Sequence, residues 1–347
     1  MLLIIISWIY ILFTTINLGF ALDKIMRLKN RNFVITSILG LFSVTILASL
    51  WAVFDRINIE FQLFILLVNI LLSLKYKTEI LLVYTSFLHD LKILDKKLQF
   101  FLGILFLLII AQCSSIPNII DNESYYIQTI KWINEYGFVK GLANLHIFFG
   151  QVSGWHIAQS AFNFSFLYKN LNDLSGFCLL LGNVFATVKL NEYFSNSNKN
   201  YLIIGLLPLA NVYFFQLISA PSPDLPIYIF VLISFFYFIE SLKNCSISTF
   251  NLISLLILFV LYIKISSFAL VVIPILILVF NLQKLSSKIV PIAITGLLVL
   301  LLFIVKNTII TGFPLYPTTY LQFGEFDYRL PKNVISFFFN DAQLKQF

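Results

Sequence analysis

Thr249–Asn281 reads TFNLISLLILFVLYIKISSFALVVIPILILVFN, an apolar block with a single charged residue, Lys264. As one helix it would run about 50 Å at about 1.5 Å per residue, well beyond a hydrocarbon core of about 30 Å. Two shorter helices that meet at Lys264-Ile265-Ser266-Ser267 satisfy the length limit. The choice decides the fold, because it sets which membrane face every later loop occupies.

The rest of the chain has the same character. Of its 347 residues 59% are hydrophobic and 11% charged, with 38 Phe and 16 Tyr. That balance lies far from a soluble domain and reads as a polytopic, all-α membrane protein. The net charge of +7 does not point to nucleic acid, because the lysines sit in short gaps between apolar runs rather than in a basic patch among exposed aromatics. Cys113, Cys178 and Cys245 are widely spaced and form no CxxC pair, so they read as packing residues.

Outward from the decisive block, runs of spanning or near-spanning length occur at 2–22, 33–53, 57–74, 98–116, 173–190, 200–218, 225–242 and 289–306. With two helices from 249–281 the expectation is about ten spans. The first run has no preceding basic residue and no cleavage site, so it is expected to be a retained helix. The stretch 79–88 is too short to cross and is expected in the interface. Placing the N-terminus outside puts Lys24, Arg27, Lys29 and Arg31, then Lys75, Lys77, Lys92, Lys96 and Lys97, then Lys189, Lys199, Lys243, Lys284 and Lys288 on the cytoplasmic side, 14 of 23 basic residues. The loop Pro117–Asn172, with short amphipathic helices, then shares the outer face with Asp224, Lys264, Lys306 and the segment from Asn307 onward. Three regions result: 1–97, N-terminal helices; 98–320, the core with the outer loop 117–172; and 321–347, an extracytoplasmic tail.

Ionisable groups gathered at one membrane face mark a pathway or a site, because they are costly near hydrocarbon. Each also has a simpler reading. Asp121 and Asp224 precede helical stretches and fit caps; Glu123 fits a first-turn acid matched to the helix dipole; Lys264 and Lys306 fit snorkelling ends. His146 and His156 lack a third ligand at metal spacing, so interfacial hydrogen bonding suits them better than zinc. Trp132 and Trp155 fit an interfacial aromatic belt.

The ordered set Asp121-Asn-Glu-Ser-Tyr125-Tyr126, Trp132-x-x-Glu135-Tyr136-Gly137, Gly141-Leu-Ala-Asn144-Leu-His146, Ser153-x-Trp155, Pro221-Ser-Pro223-Asp224-Leu-Pro226, Lys264-Ile-Ser266, Lys306-Asn307 and Gly312-Phe-Pro314-Leu-Tyr316-Pro317 is similar to a family of polytopic bacterial proteins of largely unassigned function. That family is related to the GT-C-type glycosyltransferases, and the likeness covers about 110–320. Where the pattern carries an Arg after the His motif this chain has Phe148, and relatives continue into further helices, so a shortened member is expected. The resemblance implies a GT-C-like enzyme of the bacterial cytoplasmic membrane that moves a sugar from a polyprenyl-phosphate donor to a glycan or lipid acceptor. Asp121 would be the catalytic base, with Asp224, Lys264, Lys306, Asn144 and His146 binding substrate. A divalent cation bridging carboxylate and phosphate is compatible with this chemistry. A transporter or lipid-linked saccharide flippase, or a catalytically inactive relative, is the alternative reading.

Overall fold

A computed structural model of the chain describes residues 1–164, 166, 173–196, 204–285 and 289–341. Lys199 and Lys288, placed by the sequence on the cytoplasmic side, lie outside the described residues, as do 200–203 of one expected span and the end of the tail. Among the described residues all regular structure is helical, a helical membrane bundle by length and composition. The long elements are α1 (Leu2–Met26), α2 (Phe33–Ala52), α3 (Ile59–Lys75), α4 (Lys77–Ile93), α5 (Lys96–Cys113), α6 (Ile127–Tyr136), α7 (Gly154–Ala161), α8 (Leu174–Asn196), α9 (Asp224–Lys243), α10 (Ile247–Ile263), α11 (Val272–Phe280) and α12 (Val290–Thr311). Six of them, α1, α2, α5, α8, α9 and α12, are long and apolar enough to cross a membrane, or seven if α3 and α4 count as one bent span.

The decisive block divides where expected. α10 ends at Ile263, Lys264 is extended, and a 3-10 turn over Ile265–Val271 leads into α11. The two helices fold back on one another, with Phe250, Ile253, Ile257, Ile273 and Ile277 in one apolar cluster. At Tyr76 the chain bends by 92° between α3 and α4. α4 therefore runs across the axis of α3, the orientation an interfacial helix requires.

The expected span at 200–218 is not a helix of that length. Among the described residues it consists of short turns at Leu207–Leu209, Ala210–Tyr213 and Phe215–Leu217. Pro208 donates no backbone hydrogen bond and breaks the ladder. A side-chain pair compensates: Asn183 of α8 and Asn211 exchange amide hydrogen bonds at 3.0 and 2.8 Å, and Asn211 Nδ2 also donates to Pro208 O at 2.8 Å. Irregular backbone is tolerated at membrane depth when it is satisfied within the protein.

α1 and α2 make the closest pairing. A Cβ at Gly19 would lie 1.8 Å from Thr36 O, and one at Gly40 would lie 1.8 Å from Thr15 O. Small residues let the two backbones touch, the packing mode available where lipid removes the hydrophobic drive between helices. By contrast α5 and α12 leave rows of Leu, Ile and Phe exposed, including Phe100, Leu107, Leu108, Leu297 and Leu301.

The bundle has two chemically different ends. At one, Lys24 pairs with Glu79 at 2.9 Å, Asn251 Nδ2 donates to Met26 O, and Lys284 donates to Cys245 O. At the other, Phe138 N–H donates to Ala52 O, Trp8 Nε1 to Asp173 O, and Ser153 Oγ to Ile263 O. The second end holds the outer-loop residues. The segment after α12 returns to it: Leu330 N–H donates to Thr311 O at 3.0 Å, and Asn144 Nδ2 donates to Tyr328 O at 2.7 Å.

Candidate functional site

Three elements meet at the loop end around a cavity of about 260 Å³. The break after α10 brings Lys264, the last turns of α12 bring Lys306 and Asn307, and the outer loop brings Tyr125, Tyr126 and His156. Ser153 fixes the geometry. Its hydroxyl donates to Ile263 O at 2.6 Å and accepts from Trp155 N–H at 3.0 Å, which ties the start of α7 to the end of α10.

His156 lies in the first turn of α7. Its Nδ1 accepts the Ser153 backbone N–H at 3.3 Å, so the neutral ring carries its proton on Nε2. Among the described residues that Nε2 is buried and has no hydrogen-bond partner. Burial, with the Lys306 ammonium nearby, holds the imidazole down at about 3. The group is therefore a neutral donor at the cavity wall at physiological pH.

Lys306 is only 3% exposed, so it does not snorkel to water. Its ammonium donates to Val152 O and lies 5.2 Å from the Phe303 ring centroid and 5.9 Å from that of Tyr262. Aromatic faces within about 6 Å attract a cation. No carboxylate pairs with it among the described residues.

Lys264 does have an acid: Asp224 Oδ1 is 2.6 Å away, with both side chains 46% exposed. Asp224 does not cap α9; its own N–H donates to Ser222 Oγ at 3.3 Å while its carboxylate faces Lys264. Asp121 likewise makes no capping bond. It opens a wide π turn over Asn122–Tyr126 that runs on into α6, a local distortion that recurs at functional sites. Burial holds the Tyr125 phenol well above its ordinary value, and Tyr126 together with the Asp121 and Asp224 carboxylates adds to the rise. The Tyr126 phenol is raised as well, chiefly by burial. Both acids thus act on the same pair of tyrosines that line the cavity.

Lys264 and Lys306 line the cavity; Asp224 is joined to it through its pair with Lys264, and Asp121, exposed at the head of the π turn that carries Tyr125 and Tyr126, does not line it. Asn144 and His146 do not line it. Asn144 is exposed and binds the loop to Gly141 O and Tyr328 O, and exposed His146 lies against Phe148 and Phe149. Trp155, expected in an interfacial belt, is fully buried and donates to Ser175 Oγ at 3.2 Å. It packs the helix carrying His156 against α8. Sequence reasoning gave no site role to Tyr125, Tyr126, Tyr262 or His156. The adjacency of Ser153, the α7 cap, to His156 was the available signal for the last.

Five cavity residues, Tyr262, Ile265, Phe303, Tyr316 and Pro317, also line an apolar groove of about 550 Å³ between α10 and α12. The polar seat thus adjoins, across these shared residues, a groove walled by Leu258, Leu261, Val299 and Leu300. Among the described residues no three His, Cys, Asp or Glu side chains cluster as a metal site.

No curated protein and no solved structure matches the chain. A family match does extend over residues 1–347, and by it the chain belongs to the family described as a domain of unknown function, DUF8201.

Proposed function

We propose that this protein is a membrane transferase that moves a sugar from a polyprenyl-phosphate donor to a glycan or lipid acceptor at the outer face of a bacterial cytoplasmic membrane. The observation that carries the reading is the seat at Lys306: a buried ammonium and, among the described residues, the unpartnered Nε2–H of His156, in one cavity that adjoins an apolar groove. A buried cation without an acid and a buried donor without an acceptor both call for an anion. The groove suits the chain of a lipid that carries that anion.

In this mechanism the acceptor hydroxyl attacks the anomeric carbon of the donor. Asp121 takes the hydroxyl proton as the new C–O bond forms. The bond from the anomeric carbon to the phosphate oxygen breaks, and the electron pair leaves with the lipid phosphate. Lys306, Lys264 and His156 Nε2–H stabilise the charge that develops on that phosphate. The Asp224–Lys264 pair holds the second ammonium at the rim.

Purified protein in nanodiscs with a radiolabelled polyprenyl-phosphate sugar tests the reading. Asp121→Asn should lower turnover about 10²–10⁴-fold with the melting temperature unchanged, since no capping bond is lost. Full turnover in that variant removes Asp121 from the chemistry. Movement of the labelled lipid between leaflets without release of sugar would instead favour a flippase.

A further inference from the structure

A second cavity at the loop end, about 450 Å³, is unused by that reaction. Its inner wall is made by Asp173, just before α8, and Ser219. Both are buried, and among the described residues Asp173 Oδ2 and Ser219 Oγ have no hydrogen-bond partner. Cys113 and Ser114, at the end of α5, form the adjoining wall. The last carbonyls of a helix carry partial negative charge. The inner end of the cavity therefore combines a carboxyl, a hydroxyl and a helix C-terminus, a set that receives an ammonium.

The mouth differs in character. Glu123, Ile127 and Lys131 stand four residues apart along the helical stretch 122–136, one stripe of which borders the cavity. Leu3, Ile4, Ile116 and Pro117 supply apolar surface beside it. The mouth thus carries the Lys131 ammonium and the Met1 amino group, with the Glu123 carboxylate beside them, outside an inner end that favours a cation, with apolar residues alongside.

We propose that this cavity binds a phosphoethanolamine headgroup, its ammonium at Asp173 and Ser219 and its phosphate at Lys131, independently of the transfer reaction. That group carries one charge of each sign, as the site has a carboxyl inside and an ammonium at the rim, and the apolar border suits a lipid carrying it. A volume of this size is within the usual range for small-ligand sites.

The groups that face the Asp173 carboxyl are Ser7 and Trp8 of α1, the Cys113 thiol, and Glu123, Lys131 and the Met1 amino group at the mouth. No ion pair joins Met1 or Lys131 to Asp173 among the described residues. Burial raises the Asp173 carboxyl to about 7, against smaller opposing contributions from its own backbone, Ser7 and Trp8. Only the carboxylate form attracts the ammonium, so affinity should fall as pH drops below 7.

Native mass spectrometry of the full chain, released from nanodiscs of mixed phosphatidylethanolamine, phosphatidylglycerol and phosphatidylcholine, tests the site. At pH 8 retained phosphatidylethanolamine should exceed each of the other two severalfold, and at pH 5.5 the preference should vanish. Asp173→Asn should lose it about tenfold, and Lys131→Ala severalfold. Ser219→Ala, which deletes one oxygen only, is the control if Asp173→Asn does not fold, and should weaken retention. Equal retention of phosphatidylglycerol with no thermal stabilisation by O-phosphoethanolamine, or wild-type preference in a folded Asp173→Asn or Ser219→Ala protein, overturns the proposal. Thermal stabilisation by O-phosphoethanolamine in lipid-free detergent, without lipid preference, assigns the site to the free solute; preference for the lipid assigns it to the membrane.

Discussion

The Lys264 ammonium lies 2.6 Å from the Asp224 carboxylate, although forty positions separate them in sequence. The contact joins the start of α9 to the break after α10. Both side chains are 46% exposed, so the pair is solvent-screened and worth about 0–1 kcal/mol. Asp224→Asn should therefore change the unfolding free energy by less than about 1 kcal/mol, read from a denaturation midpoint, while weakening affinity for a lipid phosphate in a binding titration. A large loss of stability with unchanged affinity would make the pair structural.

Lys306 should behave differently, because its ammonium is buried without an acid. Replacing a buried ionic group by an apolar one of similar length is often neutral or stabilising, by about 1–4 kcal/mol. Lys306→Met should thus fold and melt no lower than the parent, yet lose binding of polyprenyl phosphate. Lys306→Arg keeps the charge and should restore part of that binding. A marked drop in melting temperature for Lys306→Met would show that the Val152 carbonyl bond matters more than the burial cost.

The two ends of the bundle can be assigned by labelling. Asn144 and Thr318 are both exposed at the loop end. Cysteines placed there, in a background lacking Cys113, Cys178 and Cys245, should react with an impermeant maleimide in intact cells. A cysteine at Lys29, at the opposite end, should react only after permeabilisation. Reaction at Lys29 in intact cells reverses the orientation.

His156 predicts acid lability at the site. Its imidazole is held down to about 3 in the fold against about 6.5 unfolded, so the unfolded chain binds the extra proton between those values. Stability from this residue is present above about pH 6.5 and declines as pH falls toward 3. His156→Gln should flatten that part of the pH–melting curve. Asp173 has the opposite sign: its carboxyl is raised, so its contribution declines as pH rises through 7. Asp173→Asn should therefore raise the melting temperature more at pH 8 than at pH 5.

Gly40 should tolerate nothing larger. A Cβ there would meet the Thr15 backbone at 1.8 Å, and backbone cannot rotate aside as a side chain can. Gly40→Leu should cost at least the 1–3 kcal/mol typical of overpacking, about a tenfold shift or more in the folding equilibrium. Gly103, where an added Cβ would meet nothing within 4 Å, is the control, and Gly103→Ala should leave stability nearly unchanged. Equal effects at the two positions would remove the close approach of α1 and α2 as the cause.

The membrane class and the division of 249–281 at Lys264 were legible from run lengths and charge, because crossing hydrocarbon fixes how many apolar residues a helix needs, whereas the 92° bend between α3 and α4 was not. Composition could not reveal that 205–218 breaks into short turns. Its hydropathy is that of a span, and side chains brought in by packing help to satisfy the broken backbone: Asn211, held by Asn183 from 28 residues away, donates to Pro208 O, and Tyr228 donates to Leu206 O. The pairing of Lys264 with Asp224 required α9 and α10 to meet at one end, and the isolation of Lys306 required α7 to deliver Val152 instead of an acid. Likewise nothing in the sequence sets Asp173 apart; packing around α8 buries it and leaves Oδ2 unpartnered among the described residues. Sequence alone set which segments are apolar enough for a membrane, because transfer from water is a property of each segment. Tertiary structure decided which polar groups are paired and which are left waiting, because a partner is a property of two segments brought together.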